Sequence, residues 1–151
     1  MPKKIQCYLA GSFIPFGGCE DWRDYVESNC LCGKISFYDP RSDTEQESIA
    51  SFTSQDLKGV GSSDVIFCFM DKNAGEVGSA AECGFGLAKN RMVILCIGED
   101  VDFPHPFMLG LARRVIIGLD AGIEYLKGLA DYGIENEFAV AYDFLKDKSQ
   151  K

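Results

Sequence analysis

The sequence predicts a single three-layer α/β domain built on a five-stranded, mainly parallel sheet of the flavodoxin/Rossmann-like kind. Two observations lead there. Short apolar runs rich in Val, Ile and Phe alternate with longer segments of helical period, which is the pattern of βαβ units. The chain has 151 residues, about one domain's worth, and a chain of that size buries roughly two thirds of its unfolded surface. Internal repeats and low-complexity linkers are absent from it.

Each element follows from its own stretch. Ile5 to Ala10 is the first apolar run, and the others cover 34–38, 64–70, 92–97 and 114–119. Between the first two, residues 19–30 place Trp22, Tyr25 and Val26 on one helical face, with Glu20 and Asp21 in the first turn where the helix dipole favours acids. Ile49, Phe52, Leu57 and Val60 mark a second helix, and 80–90 a third. Residues 121–132 and 137–148 read as C-terminal helices. In such sheets ligands bind beyond the carboxyl ends of the strands, near the point where strand order reverses. The loops expected there are 11–18, 39–42 and 71–79.

Composition narrows the function. With 15 basic and 23 acidic residues the formal charge is −8, which argues against nucleic acid, because a phosphate backbone demands a basic face. No stretch approaches the roughly 20 apolar residues that span a bilayer, and the basic start Lys3-Lys4 is followed by too short a run for a secretion signal. The plain reading is a cytoplasmic protein whose partner is a small uncharged or cationic molecule rather than a membrane. Seven cysteines and one histidine, without a C-x-x-C pair, read as buried or incidental thiols in a reducing compartment. No metal is implied.

Two segments carry candidate chemistry. Gly11-Ser12-Phe13-Ile14-Pro15-Phe16-Gly17-Gly18 follows the first strand but matches neither phosphate-loop fingerprint. Phe13 and Phe16 are open to two readings: stacking on a flat ring, or packing on the following helix. Glu82 is likewise open. Ser79-Ala80-Ala81-Glu82 fits a capping box, in which Glu82 returns to the cap amide. Around it Gly78, Ala80, Ala81, Gly84 and Gly86 strip bulk from the helix, as a ligand's or a backbone's close approach requires. A carboxylate in a first turn stays ionised under the helix dipole, the state a nucleophile needs. Asp56, Asp64, Asp71 and Glu76 gather nearby in sequence, and paired carboxylates are the machinery of retaining glycoside cleavage.

These residues, in their order, resemble the nucleoside 2-deoxyribosyltransferases and their N-glycoside hydrolase relatives, over residues 4–126. The matching pieces are Tyr8-Leu9-Ala10-Gly11, Gln55-Asp56-Leu57, Ser63-Asp64-Val65-Ile66, and Gly78 to Gly86 followed by Ala88. The resemblance implies that Glu82 is the nucleophile, Tyr8 the residue that holds and tunes it, and Asp56 the acid that engages the departing base. It places Glu76 at the sugar hydroxyls. Gly11, Ser12, Phe13, Phe16 and Tyr38 are the further substrate-binding candidates, with base specificity set by the shape around Phe13, Phe16 and Tyr38. A carboxylate at Glu76 repels a 5′-phosphate, so it favours an unphosphorylated nucleoside, although Arg41 and Ser12 leave an anion site open. Arg41 is otherwise a solvated turn residue. Met108 stands where transferases carry a sugar-binding asparagine, and a thioether is only a weak acceptor. The expected function is therefore deoxyribosyl transfer between nucleobases, without a cofactor, in a homodimer or larger homo-oligomer. The alternatives are an N-glycoside hydrolase of nucleosides or nucleoside 5′-monophosphates, and a non-catalytic nucleotide-binding module.

Overall fold

The computed structural model describes residues 4–31, 33–44, 47–72, 77–101 and 104–137. Cys32, Glu76 and the expected C-terminal helix beyond Glu137 lie outside that set. Along the chain run β1 (Ile5–Ala10), α1 (Trp22–Asn29), β2 (Ile35–Tyr38), α2 (Pro40–Asp43), α3 (Ile49–Ser62) and β3 (Val65–Met70). They continue with α4 (Val77–Ala88), β4 (Met92–Ile97), α5 (Pro106–Leu111), β5 (Arg114–Ile117) and α6 (Leu119–Tyr132). The five strands form one sheet in the order β2-β1-β3-β4-β5, and every pairing is parallel. This is the three-layer, doubly wound arrangement that the alternating pattern predicts.

Period-two alternation divides the core. Ile5, Cys7 and Leu9 of β1 face one layer with Trp22 and Val26 of α1 and the buried side of α6. Tyr8 and Ala10 face the other, with Val60 of α3, Cys83 of α4 and Met108 of α5. All six residues of β3 and of β4 are buried, as befits central strands covered on both faces. Strand order reverses between β1 and β3, which makes the carboxyl end of β1 the switch point.

The boundaries correct several expectations. Helix α1 starts at Trp22, and Asp21 is its cap rather than a first-turn residue, its carboxylate accepting from the Arg23 amide at 3.0 Å. Ile49 is 78 % exposed, and only Gly59 and Val60 of α3 are buried, so the apolar marks on this helix do not all face the core. Gly118, at φ 94°, ends β5 early and turns the chain into α6 two residues sooner than expected. The short helix α2 stands where the sequence was read as a loop, and α5 covers the stretch that holds Met108.

Candidate active site

Tyr8 lies near the end of β1 on the α3/α4 side of the sheet and is wholly buried. Its hydroxyl donates to Glu82 Oε2 of α4. That contact replaces the capping box: α4 already runs from Val77, so Ser79 sits inside the helix, buried, and Glu82 falls beyond the first turn. The ionisation expected from the helix dipole is corrected too. Burial raises the Glu82 pKa to about 7, the Tyr8 hydrogen bond pulls it down, the charge of Asp56 raises it and that of Arg23 lowers it. The Tyr8 phenol is pushed up as well, by burial and then by Glu82, so it remains the donor.

Asp56 comes from the middle of α3. Burial raises its pKa, while a hydrogen bond from Thr44 and the charge of Arg23 lower it. Its Oδ1 is buried without a partner among the described residues. Tyr38, opposite Tyr8 in the parallel register, stacks on it with ring centroids 5.3 Å apart and planes at 17°. The Tyr38 hydroxyl lies 3.1 Å from Thr44 Oγ1. Two carboxylates and two stacked phenols thus share the carboxyl end of β1.

Arg23 was not singled out from the sequence. It is 2 % exposed and ties down the end of β1 and its loop. Its Nε donates to the Leu9 carbonyl at 3.1 Å, its Nη2 to Gly11 O, and its Nη1 to both oxygens of Asp21 at 3.0 and 3.2 Å. A charged residue one step after Trp22 in an apolar helix face was the signal available. Gly11 has φ 142°, and a Cβ there would lie 2.6 Å from Phe69 O, so only glycine makes this turn. The Ser12 carbonyl accepts from Trp22 Nε1 at 3.0 Å.

The two loop phenylalanines part company. Phe13 is 76 % exposed, with the Arg23 guanidinium 5.6 Å from its ring centre. Phe16 packs edge-on against Tyr25 and Phe69 in the other layer, at 4.9 and 5.9 Å. There it lines a cleft of about 260 Å³ with Asp71, Glu99 and Asp120, on the face of the sheet away from Glu82. A larger cleft of about 880 Å³ opens around Lys4, Asp64 and Arg91, at the opposite ends of the strands. Met108 is buried in the apolar layer of α3, α4 and α5. Asp64 is structural, its Oδ2 accepting from the Gln6 amide at 2.9 Å. Arg41 is not a solvated turn residue, since it pairs with Asp21, Asp24 and Asp39 at 3.6, 2.9 and 2.5 Å.

A doubly wound parallel domain with a tyrosine-held carboxylate at its switch point defines the class of protein at this stage. No family model and no curated sequence matches the chain. Solved structures do. A 2-deoxyribosyltransferase from Bacillus psychrosaccharolyticus superposes with a TM-score of 0.64 at 17% identity, over 80% of this chain and 91% of that one. A 2-desoxiribosyltransferase from Leishmania mexicana gives 0.52 at 18% identity over 64% and 65%, respectively. The CMP N-glycosidase of Clostridium botulinum gives 0.53 at 13% identity over 74% and 88%. The chain shares the fold of these proteins.

Proposed function

We propose that this chain is a nucleoside 2-deoxyribosyltransferase working by double displacement. The single observation that carries the reading is the Tyr8–Glu82 hydrogen bond with Asp56 close enough to perturb both groups. Ionised Glu82 attacks the anomeric carbon, and the bond to the base breaks as Asp56 passes its proton to the leaving nitrogen. The sugar rests on Glu82 as an ester until an incoming base, deprotonated by Asp56, attacks the same carbon and restores both carboxyl groups. Two displacements give retention. Tyr8 orients the nucleophile, and Tyr38, Phe13, Gly11 and Ser12 border the substrate, with Glu76 at the sugar hydroxyls. The likeness to two deoxyribosyltransferase structures supports this assignment at the level of fold.

The engagement of Arg41 by three carboxylates, and of Arg23 by backbone carbonyls and Asp21, supports an unphosphorylated substrate. Both cations already have partners, so a phosphate gains little from either.

Hydrolysis is the second reading, favoured by Met108, which packs in the core and brings no sugar-binding amide. Incubation of a purine deoxynucleoside with and without free cytosine separates the two. Transfer yields deoxycytidine; hydrolysis yields free deoxyribose in both tubes. Glu82→Ala is expected to lower either activity by at least about a thousandfold, and near-native turnover by that variant would refute the assignment.

A further inference from the structure

We propose that Thr44 is a positioning residue, whose hydroxyl holds one oxygen of Asp56 so that the other is the one presented to the departing base. The inference rests on the function proposed above and assigns a part to a residue outside the three already discussed.

Thr44 follows α2 in extended conformation and is 5 % exposed. A threonine hydroxyl has one proton and two lone pairs, whereas an ionised carboxylate only accepts. Thr44 hydrogen-bonds Asp56, so its proton goes to that carboxylate. The Tyr38 hydroxyl, 3.1 Å from Thr44 Oγ1, is then the donor side of that contact, and it shares its proton with the Asp43 and Gln55 carbonyls at 3.2 and 3.4 Å. Asp56 Oδ1 is the oxygen without a partner among the described residues, which leaves Oδ2 for Thr44. When Asp56 takes up a proton, Thr44 keeps Oδ2 as an acceptor, and the proton resides on Oδ1. The oxygen that faces no donor among the described residues thus becomes the acid.

The chain is anchored at both ends. Tyr38 cannot swing away, because its ring is stacked on Tyr8 and lies against α3, where a Cβ on Gly59 would meet it at 2.6 Å. Tyr8 in turn donates to Glu82. Hydrogen bonds join Glu82 to Tyr8 and Tyr38 through Thr44 to Asp56, and the stacking of Tyr8 on Tyr38 connects the two pairs. The groups that act on Asp56 are Thr44 after α2 and Arg23 of α1, while Tyr8 of β1 and Glu82 of α4 in turn feel its charge.

The test compares Thr44→Val, which keeps the shape and removes the hydroxyl, with Thr44→Ser, which keeps the hydroxyl. The Asp56 carboxyl carbon is followed by carbon-13 NMR across pH, its signal assigned with Asp56→Asn, and kcat/KM is measured over the same range. Thr44→Val is expected to raise the Asp56 midpoint by roughly one pH unit. The limb of kcat/KM set by Asp56 moves to higher pH with it, and kcat falls about tenfold with KM little changed. Thr44→Ser restores wild-type behaviour. An Asp56 titration unmoved in Thr44→Val overturns the inference, as does Thr44→Ser behaving like Thr44→Val, since packing would then be the cause. A shifted midpoint in a protein that turns over no deoxynucleoside sinks the proposed function instead and leaves the Thr44–Asp56 hydrogen bond standing.

Discussion

At the scale of single residues, one carboxyl group has conflicting neighbours. Burial pushes Glu82 up to about 7, and the Tyr8 hydroxyl opposes that by favouring the charged form. The nucleophile must be ionised, so kcat/KM is expected to rise about tenfold per pH unit on the acid side and to level off near pH 7. Tyr8→Phe removes the opposing hydrogen bond, which moves that limb to higher pH and costs most at pH 6. A pH–rate profile of both proteins checks this, and coincident acid limbs would contradict it. Stability carries the mirror image. The folded-state pKa of Glu82 lies above its ordinary 4.5, so the folded protein holds this proton more tightly than the unfolded chain does. Stability is therefore lost as pH rises from about 4.5 to about 7. Glu82→Gln is expected to raise Tm by a few degrees at pH 8 and to change it little at pH 5. Only the resemblance pointed to this pairing; local sequence pattern did not show it. Tyr8 and Glu82 are 74 positions apart, and the local S-x-x-E pattern pointed to a cap that a helix already running from Val77 does not need.

At the scale of elements the glycines of the helices separate packing from open space. In α6 a Cβ on Gly122 would lie 2.7 Å from Phe67 Cζ and 2.9 Å from Cys96 Sγ, both buried. In α4 a Cβ on Gly86 would meet Ile66 at 2.8 Å, whereas Gly84 and Gly78 have nothing within 4 Å. The small residues around Glu82 thus serve two ends, with Gly86 letting α4 approach β3 and Gly84 facing open space. Gly122→Ala is expected to cost about 1–3 kcal/mol through overpacking. Gly84→Ala should stabilise by up to about 1 kcal/mol through helix propensity. Urea denaturation of the two variants measures both, and a stabilised Gly122→Ala would mean that α6 does not sit this close to the sheet. The short helices α2 and α5 escaped the periodicity reading because four or six residues are too few to show a helical period. Their signal lay elsewhere. Asp39-Pro40 and His105-Pro106 each pair a side chain that accepts from a first-turn amide with a proline at the helix start.

At the scale of the whole molecule the fold was the most legible part. Strands β1, β3 and β4 are buried almost throughout, so each appears as an unbroken apolar run. Their separation by helical segments leaves parallel pairing as the natural solution. The edge strands β2 and β5 were less sharply bounded because they are only partly covered, as the exposure of Val115 and Ile117 shows. The switch point followed from strand order, and the candidate site lies there. Where two distant elements must meet, sequence pattern fell silent. The buried Arg23 that grips the end of β1, and the ion pairs of Arg41 with Asp21, Asp24 and Asp39, depend on how loops close over the sheet.

The central claim is that a sugar passes through an ester on Glu82. Reaction of the protein with a purine deoxynucleoside, quenched in acid during turnover and mapped by peptide mass spectrometry, tests it directly. One deoxyribosyl adduct is expected, on the peptide carrying Glu82, and none in Glu82→Gln. Turnover with no adduct on that peptide, together with a near-native rate in Glu82→Gln, would contradict it.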